Sequence, residues 1–398
     1  MRSISIEERR ARLGRRHRLA GTASTGSTGS AGGPVEAADA VIALHATDPA
    51  TVFLSVAART GPVGPASVDD VEKALYADRT LVRMLAMRRT MFVVPTATAP
   101  VLQASCTRAV AAQQRRRYTQ LIEAAGLGDG AWLKDVEEST ARALAARGEA
   151  TGAELAADEP RLRSRVRMAE GKSYGGEQNI TTWVLLLLAA DGRIVRGRPR
   201  GSWTSTQWRW APVESWLPGG MPEPAVEDAR AELVRRWLAA FGPGTVADLR
   251  RWTGWAARDV KAALTRVRPA EVDLDGQTGL VLADDVEPTT APEPWVAFLP
   301  ALDPTAMGWS ERSWYVGAHR SALFDRSGNI GPTVWADGRV VGGWAQRPDG
   351  EVTYRLLEDV GSATARTVEE HAERMHAWLG STRVVPRFRT PLEKELSR

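Results

Sequence analysis

The sequence predicts an α+β fold: tandem winged-helix domains followed by a small C-terminal β-barrel. Three observations predict it. A short helix, an apolar helix and a basic hairpin follow one another over 148–203. The same order recurs over 224–282, and from about residue 292 short alternating strands take over. At 398 residues the chain exceeds what one core usually holds. The boundaries that follow are 1–100, 101–215, 216–288 and 289–398.

The elements read as follows. Ile6 to Ala20 is a basic helix, with seven Arg between Arg2 and Arg18. The stretch 21–33, all Gly, Ala, Ser and Thr, holds nothing that a core could bury and is expected to be a mobile loop. Pro34 starts a helix to about Leu44. A second helix follows Asp48-Pro49, Asp being a good N-cap and Pro fitting the first helical turn. Ser67 opens a helix to about Ala77, and Thr80 to Pro95 reads as a helix or turn followed by a strand. Helices fill 97–125 and 131–147.

In the second domain, 148–160 is a short helix, Gln178 to Ala190 an apolar one, and 191–203 two strands around a Gly/Arg/Pro turn. The third repeats this with helices over Pro224–Phe241, from Thr245, and over Ala256–Val267, then a hairpin around Asp275-Gly276. Strands are expected near 295–300, 333–335, 339–344 and 351–357, then a helix over Ala363–Leu379 and a tail strand over Thr382–Phe388.

The composition, 43% hydrophobic and 25% charged, is that of an ordinary globular protein. The longest apolar run, Val184 to Ala190, is too short to span a bilayer, so a cytoplasmic protein without membrane contact is expected. Cys106 is the lone cysteine, and His371 and His376, spaced i, i+5, share a helix face poorly. No metal and no cofactor are therefore expected. Of 52 basic residues only five are Lys, and Arg suits bidentate phosphate and guanine contacts. A compositional bias towards Ala, Gly and Arg explains the same count.

Four segments could carry function. Arg193, Arg196, Arg198 and Arg200 lie within one hairpin, flanked by Trp203, Trp208 and Trp210. Several cations on one exposed hairpin suit a phosphate backbone. The indoles could stack on a displaced base or pack in the core. In Leu44-His45-Ala46-Thr47-Asp48-Pro49, the i, i+2 spacing points His45 and Thr47 the same way if the segment is extended, while Asp48 caps the next helix. That pair could hold a water or a sugar-phosphate, or His45 could simply be a turn residue. Arg79, Arg83, Arg88 and Arg89 could pair with the acids at 69, 70 and 72 or line a phosphate path. Residues 299–304, 308–312 and 325–329 are Pro, Gly and Asp turns, with Asp303 a possible partner for an Arg.

At these residues the chain resembles the tandem winged-helix DNA-binding superfamily that includes the AlkZ and YcaQ DNA glycosylases. The resemblance rests on 44–49, on Met87-Arg88-Arg89-Thr90, on the hairpin 192–203, on 298–304 and on 337–344. It implies a C-shaped molecule around duplex DNA that excises alkylated or crosslinked purines by water attack at C1′. The enzymes resembled carry Gln-x-Gln or Gln-x-Asp where this chain has His45-Ala46-Thr47. The resemblance thus implies His45 as the water-activating base, Thr47 as the second polar group and Asp48 as support. Arg83, Arg88, Arg193, Arg196, Arg198, Arg200 and Trp203 would then contact DNA. A monomer acting on damaged double-stranded DNA is expected; the alternative is a non-catalytic DNA-binding protein or regulator.

Overall fold

The computed structural model describes residues 1–20, 32–61, 64–168 and 176–398. Residues 21–31 of the expected mobile loop lie outside the described residues. Strand β1 (Arg2–Ser3) and helix α1 (Ile6–Arg16), capped by Ser5, open the chain. The first unit runs α2 (Pro34–Asp39), β2 (Leu44–His45), α3 (Pro49–Ala57), α4 (Val68–Glu72), β3 (Leu81–Leu85) and β4 (Met91–Pro95). Ser67 and Asp70 close a capping box on α4, which continues as a π turn through Ala77. The sheet order is β2-β4-β3. Residues 80–95 thus form a hairpin, where the sequence suggested a helix or turn before a single strand. All five residues of β3 are buried, so the period-two signal of a strand is missing.

Helix α5 (Ala99–Leu102) passes through a π turn, Gln103–Thr107, into α6 (Arg108–Ala124). The second unit comprises α7 (Gly130–Arg147), β5 (Ala150–Thr151), α8 (Gly152–Asp158), β6 (Arg165–Met168), β7 (Gly176–Asn179), α9 (Thr181–Ala190), β8 (Ile194–Pro199) and β9 (Trp208–Pro212), with α10 (Val213–Trp216) behind. Its main sheet is ordered β5-β9-β8. Two expectations are corrected. The apolar helix starts at Thr181, because 176–179 pairs with 165–168 as a second hairpin. The partner of β8 is 208–212, since the turn is long and closes where Arg200 N–H donates to the Gln207 carbonyl.

The third unit consists of α11 (Val226–Phe241), α12 (Val246–Thr253), α13 (Ala257–Val267), β10 (Ala270–Leu274) and β11 (Gln277–Val281). Thr245 and Asp248 form the capping box of α12, and Gly244 bridges to Leu280. Asp275 and Gly276 both take positive φ (56° and 82°), the primed turn that a two-residue hairpin needs. Strand β1 adds in parallel to β10, which ties the N-terminus to this unit.

The C-terminal part holds β12 (Val296–Leu299), α14 (Pro304–Met307), α15 (Ser313–Val316), α16 (Arg320–Leu323), β13 (Thr333–Ala336), β14 (Arg339–Gln346), β15 (Val352–Leu356), α17 (Gly361–Leu379) and α18 (Pro391–Leu396). The expected β-barrel is corrected here: the four strands form an open antiparallel sheet in the order β12-β13-β14-β15. Four strands are too few to wrap around a filled interior, and α17 packs against both edge strands instead. The expected tail strand, 382–388, is also absent. Val384 N–H donates to the Gln346 side chain and Arg387 N–H to the Asp48 carboxylate, so side chains replace a neighbouring strand.

One hydrophobic core joins the first unit, the third unit and the C-terminal sheet. The second unit has its own, built around Tyr118, Leu133, Leu144, Trp183 and Trp210.

Candidate functional site

The segment 44–49 sits where β2 ends and α3 begins. Leu44 and His45 pair with Val93 and Phe92 of β4, and Ala46 N–H donates to the Met91 carbonyl. His45 is 8% exposed and meets Phe92 edge-on, with ring centroids 5.6 Å apart. Its Nδ1 is buried without a hydrogen-bond partner in the protein. Burial, aided by the nearby Arg88 charge, lowers its pKa to about 4, while Asp303 pulls weakly the other way. The imidazole is therefore neutral at physiological pH. It keeps a free ring nitrogen and is a weak base.

Thr47 is half-buried two residues on. Asp48 is committed to structure: its carboxylate accepts Ala50 N–H at 3.2 Å as the α3 cap and Arg387 N–H at 3.1 Å from the tail. Burial raises its pKa against those two bonds. The geometry thus leaves His45 with one unpaired ring nitrogen, itself buried.

Arg88 and Arg89 form the tip of the β3–β4 hairpin, and both lie in the left-handed region, at φ 52° and 59°. For non-glycine residues that costs roughly 1–2 kcal/mol each. Arg89 donates to Gln114 at 3.0 Å, while Arg88 is exposed and packs on Gly254, just past α12.

The remaining predicted cations divide by environment. Arg83 is 3% exposed; it donates to the Ala46 carbonyl at 3.0 Å and lies 4.2 Å above the Trp208 ring. Its Nη2 is an unpartnered buried donor, and desolvation lowers its pKa. Arg196 stacks near Trp208 and Trp210 (5.8 and 5.1 Å); burial, with Arg83 beside it, lowers its pKa to about 10. Arg193 pairs with Glu138 and Arg198 with Glu72. Arg200 is exposed on the long turn. Trp203 corrects the expectation of a DNA-facing indole: it is 8% exposed and packs between Phe53 and Trp378. An indole buries more apolar area than almost any side chain, so the core holds it.

The structure adds residues that no spacing in the sequence singled out. The expected arginine partner of Asp303 is Arg59, 244 positions away in the chain, and the pair is fully buried. Beside Arg88 lie Arg251 of α12 and Arg312, which depress its pKa further after burial. Arg320 lies beyond Arg312. These four come from three distant stretches of chain, so only the fold brings them together.

A family model described as DNA glycosylase AlkZ-like matches residues 38–378. The interstrand DNA cross-link repair glycosylase of Streptomyces sahachiroi is 29% identical over 339 residues, which span 78% of this chain and 82% of that protein. Among solved structures, Streptomyces sahachiroi DNA glycosylase AlkZ superposes with a TM-score of 0.73 at 21% identity, over 96% of this chain and 99% of that one, and shares the fold.

Proposed function

The chain belongs to the AlkZ-like DNA glycosylase family, and on that premise we propose that it hydrolyses the N-glycosidic bond of alkylated or crosslinked purines in duplex DNA. The observation that carries this reading is His45: a neutral, buried imidazole with a free Nδ1, beside an exposed arginine held in strained backbone.

Alkylation at purine N7 or N3 makes the base cationic and a good leaving group. The C1′–N bond then breaks through an oxocarbenium-like state, the base taking the bonding electrons, and water oxygen bonds to C1′. His45 accepts a hydrogen bond from that water and Thr47 supplies the second polar contact. A water proton passes to solvent, because burial disfavours imidazolium. Asp48 holds the segment in place from behind. A labile lesion needs little from the acceptor, since general-base help is worth roughly 10²–10⁴-fold.

Each of the three units carries helices followed by a closing hairpin and reads as a winged helix, with 289–398 as a closing domain. Arg88 and Arg200 meet the duplex backbone directly. Arg83, Arg193, Arg196 and Arg198 support that surface, the last two from positions already stacked or paired. The protein acts as a monomer.

The test is a duplex bearing one 7-methylguanine. Released base is measured by chromatography and abasic sites by alkaline strand cleavage. Binding without either product, under conditions where a related glycosylase acts, would leave a non-catalytic DNA-binding protein.

A further inference from the structure

The cluster at the tip of the β3–β4 hairpin is unusual in its charge. Arg312 is 4% exposed, its Nε donates to the Trp309 carbonyl at 3.0 Å, and its Nη2 is buried without a partner. Arg312 and Arg320 share one ring, with guanidinium carbons 5.3 and 4.9 Å from the Phe324 centroid. Arg251 and Arg88 complete the group, Arg88 being seated against Gly254 at the end of α12. Among the described residues none of the four is in an ion pair.

The nearest acids are otherwise engaged. Asp248 accepts from Thr245 and from the Ser310 and Glu311 N–H groups, and Glu311 accepts from the Arg312 and Ser313 N–H groups. Four guanidinium groups thus gather beside only two carboxylates, Asp248 and Glu311, and one of the four keeps a buried free donor, a net positive group suited to an anion.

We propose that Arg88, Arg251, Arg312 and Arg320 form a phosphate subsite that grips the duplex backbone beside the nucleotide presented to His45. The subsite rests on the DNA reading above and extends it to the third unit and the 312–320 segment. The free Nη2 of Arg312 is the buried donor of the group, and Arg251 and Arg320 are its exposed members.

The test measures the affinity of the full-length protein for an undamaged, fluorescein-labelled duplex by anisotropy, across about 50–300 mM KCl. Each phosphate contact contributes about 0.9 to the slope of log K against log salt. The exposed double variant R251A/R320A is expected to lower that slope by about two and to weaken binding at least tenfold at about 100 mM salt. R366A, an exposed arginine on α17, serves as the control and leaves both unchanged. R312Q repeats the measurement at the buried position, with its melting temperature recorded to separate misfolding from lost contact. An unaltered slope in R251A/R320A overturns the proposal. So does a site for free anion only, read as wild-type stabilisation by millimolar orthophosphate that R251A/R320A abolishes while duplex affinity stays put. Because no base release is measured, failure of the glycosylase reading shows separately, as a changed slope without excision in the 7-methylguanine assay.

Discussion

The guanidinium of Arg59 and the carboxylate of Asp303 meet in a bidentate pair, at 2.8 and 2.6 Å, with neither side chain exposed to solvent. Ser55 hydroxyl and Thr305 N–H fill the remaining carboxylate positions, and Thr305 hydroxyl links onward to His17. The network bolts α3, which carries the His45 segment at its start, to the turn after β12 and to α1.

Removing one partner of this pair should be costly. Asp303→Ala leaves a buried guanidinium uncompensated and is expected to lose about 3–5 kcal/mol of stability. Replacing both, as Arg59→Met with Asp303→Leu, should recover much of that loss. Urea unfolding measures both variants; a loss under about 1 kcal/mol for Asp303→Ala sinks the argument.

His17 gives the fold an acid-sensitive element. Its Nε2–H faces the Ala240 carbonyl at 3.1 Å and its Nδ1 faces the Thr305 hydroxyl at 2.9 Å, which suits the neutral ring. Burial lowers its pKa to about 3, with Arg59 adding to the effect. A histidine depressed in the fold contributes stability that is present above its unfolded value of 6.5 and is lost as pH falls towards the folded value. In that window the unfolded chain binds one more proton at this residue, worth about 1.4 kcal/mol per pH unit. Unfolding free energies of wild type and His17→Gln at pH 7, 6 and 5 should therefore converge as pH falls; parallel curves would refute the assignment.

Much of the frame was legible because its signals are local. Asp48-Pro49, Ser67, Thr245 and the Asp275-Gly276 turn each announce a helix start or hairpin through short-range chemistry, and each sits where that chemistry requires. The β3 strand was not legible, since burial on both faces erases alternation. Nor was the open C-terminal sheet, whose closure depends on strand number and on α17 covering the edges. In the site, His45 stood out by residue type and spacing. Trp203 misled because an indole near arginines reads alike in a core or on a surface. Arg251, Arg312 and Arg320 carried no local signal, as their meaning lies in a juxtaposition with Arg88 across more than 160 positions of chain.

Under the proposed mechanism, the neutral state of His45 sets the pH profile of excision. The active form is unprotonated, and its pKa is lowered from 6.5 to about 4. Single-turnover base release should then stay level from about pH 8 down to about pH 5 and fall only below that, as the ring protonates. A midpoint near 6.5 would mean that the ring is solvated in the working enzyme. His45→Ala should slow release by up to roughly 10²–10⁴-fold while duplex affinity holds, since the ring is buried and uncharged.

Arg88 separates stability from binding. At φ 52° the backbone is strained for any side chain with a Cβ, and glycine removes that strain of roughly 1–2 kcal/mol. Glycine also gives back roughly 0.5–1 kcal/mol through the freer unfolded chain, and the packing on Gly254 is lost. Arg88→Gly should therefore fold with a stability within about 1 kcal/mol of wild type. Its duplex affinity should nevertheless drop about tenfold at moderate salt, with a slope shallower by about one. Two properties that usually fall together in a damaging mutation would here move apart. Urea unfolding and salt-dependent anisotropy on the same preparation decide it. A destabilised protein with unchanged affinity would assign the strained backbone to folding and remove Arg88 from the DNA-binding surface.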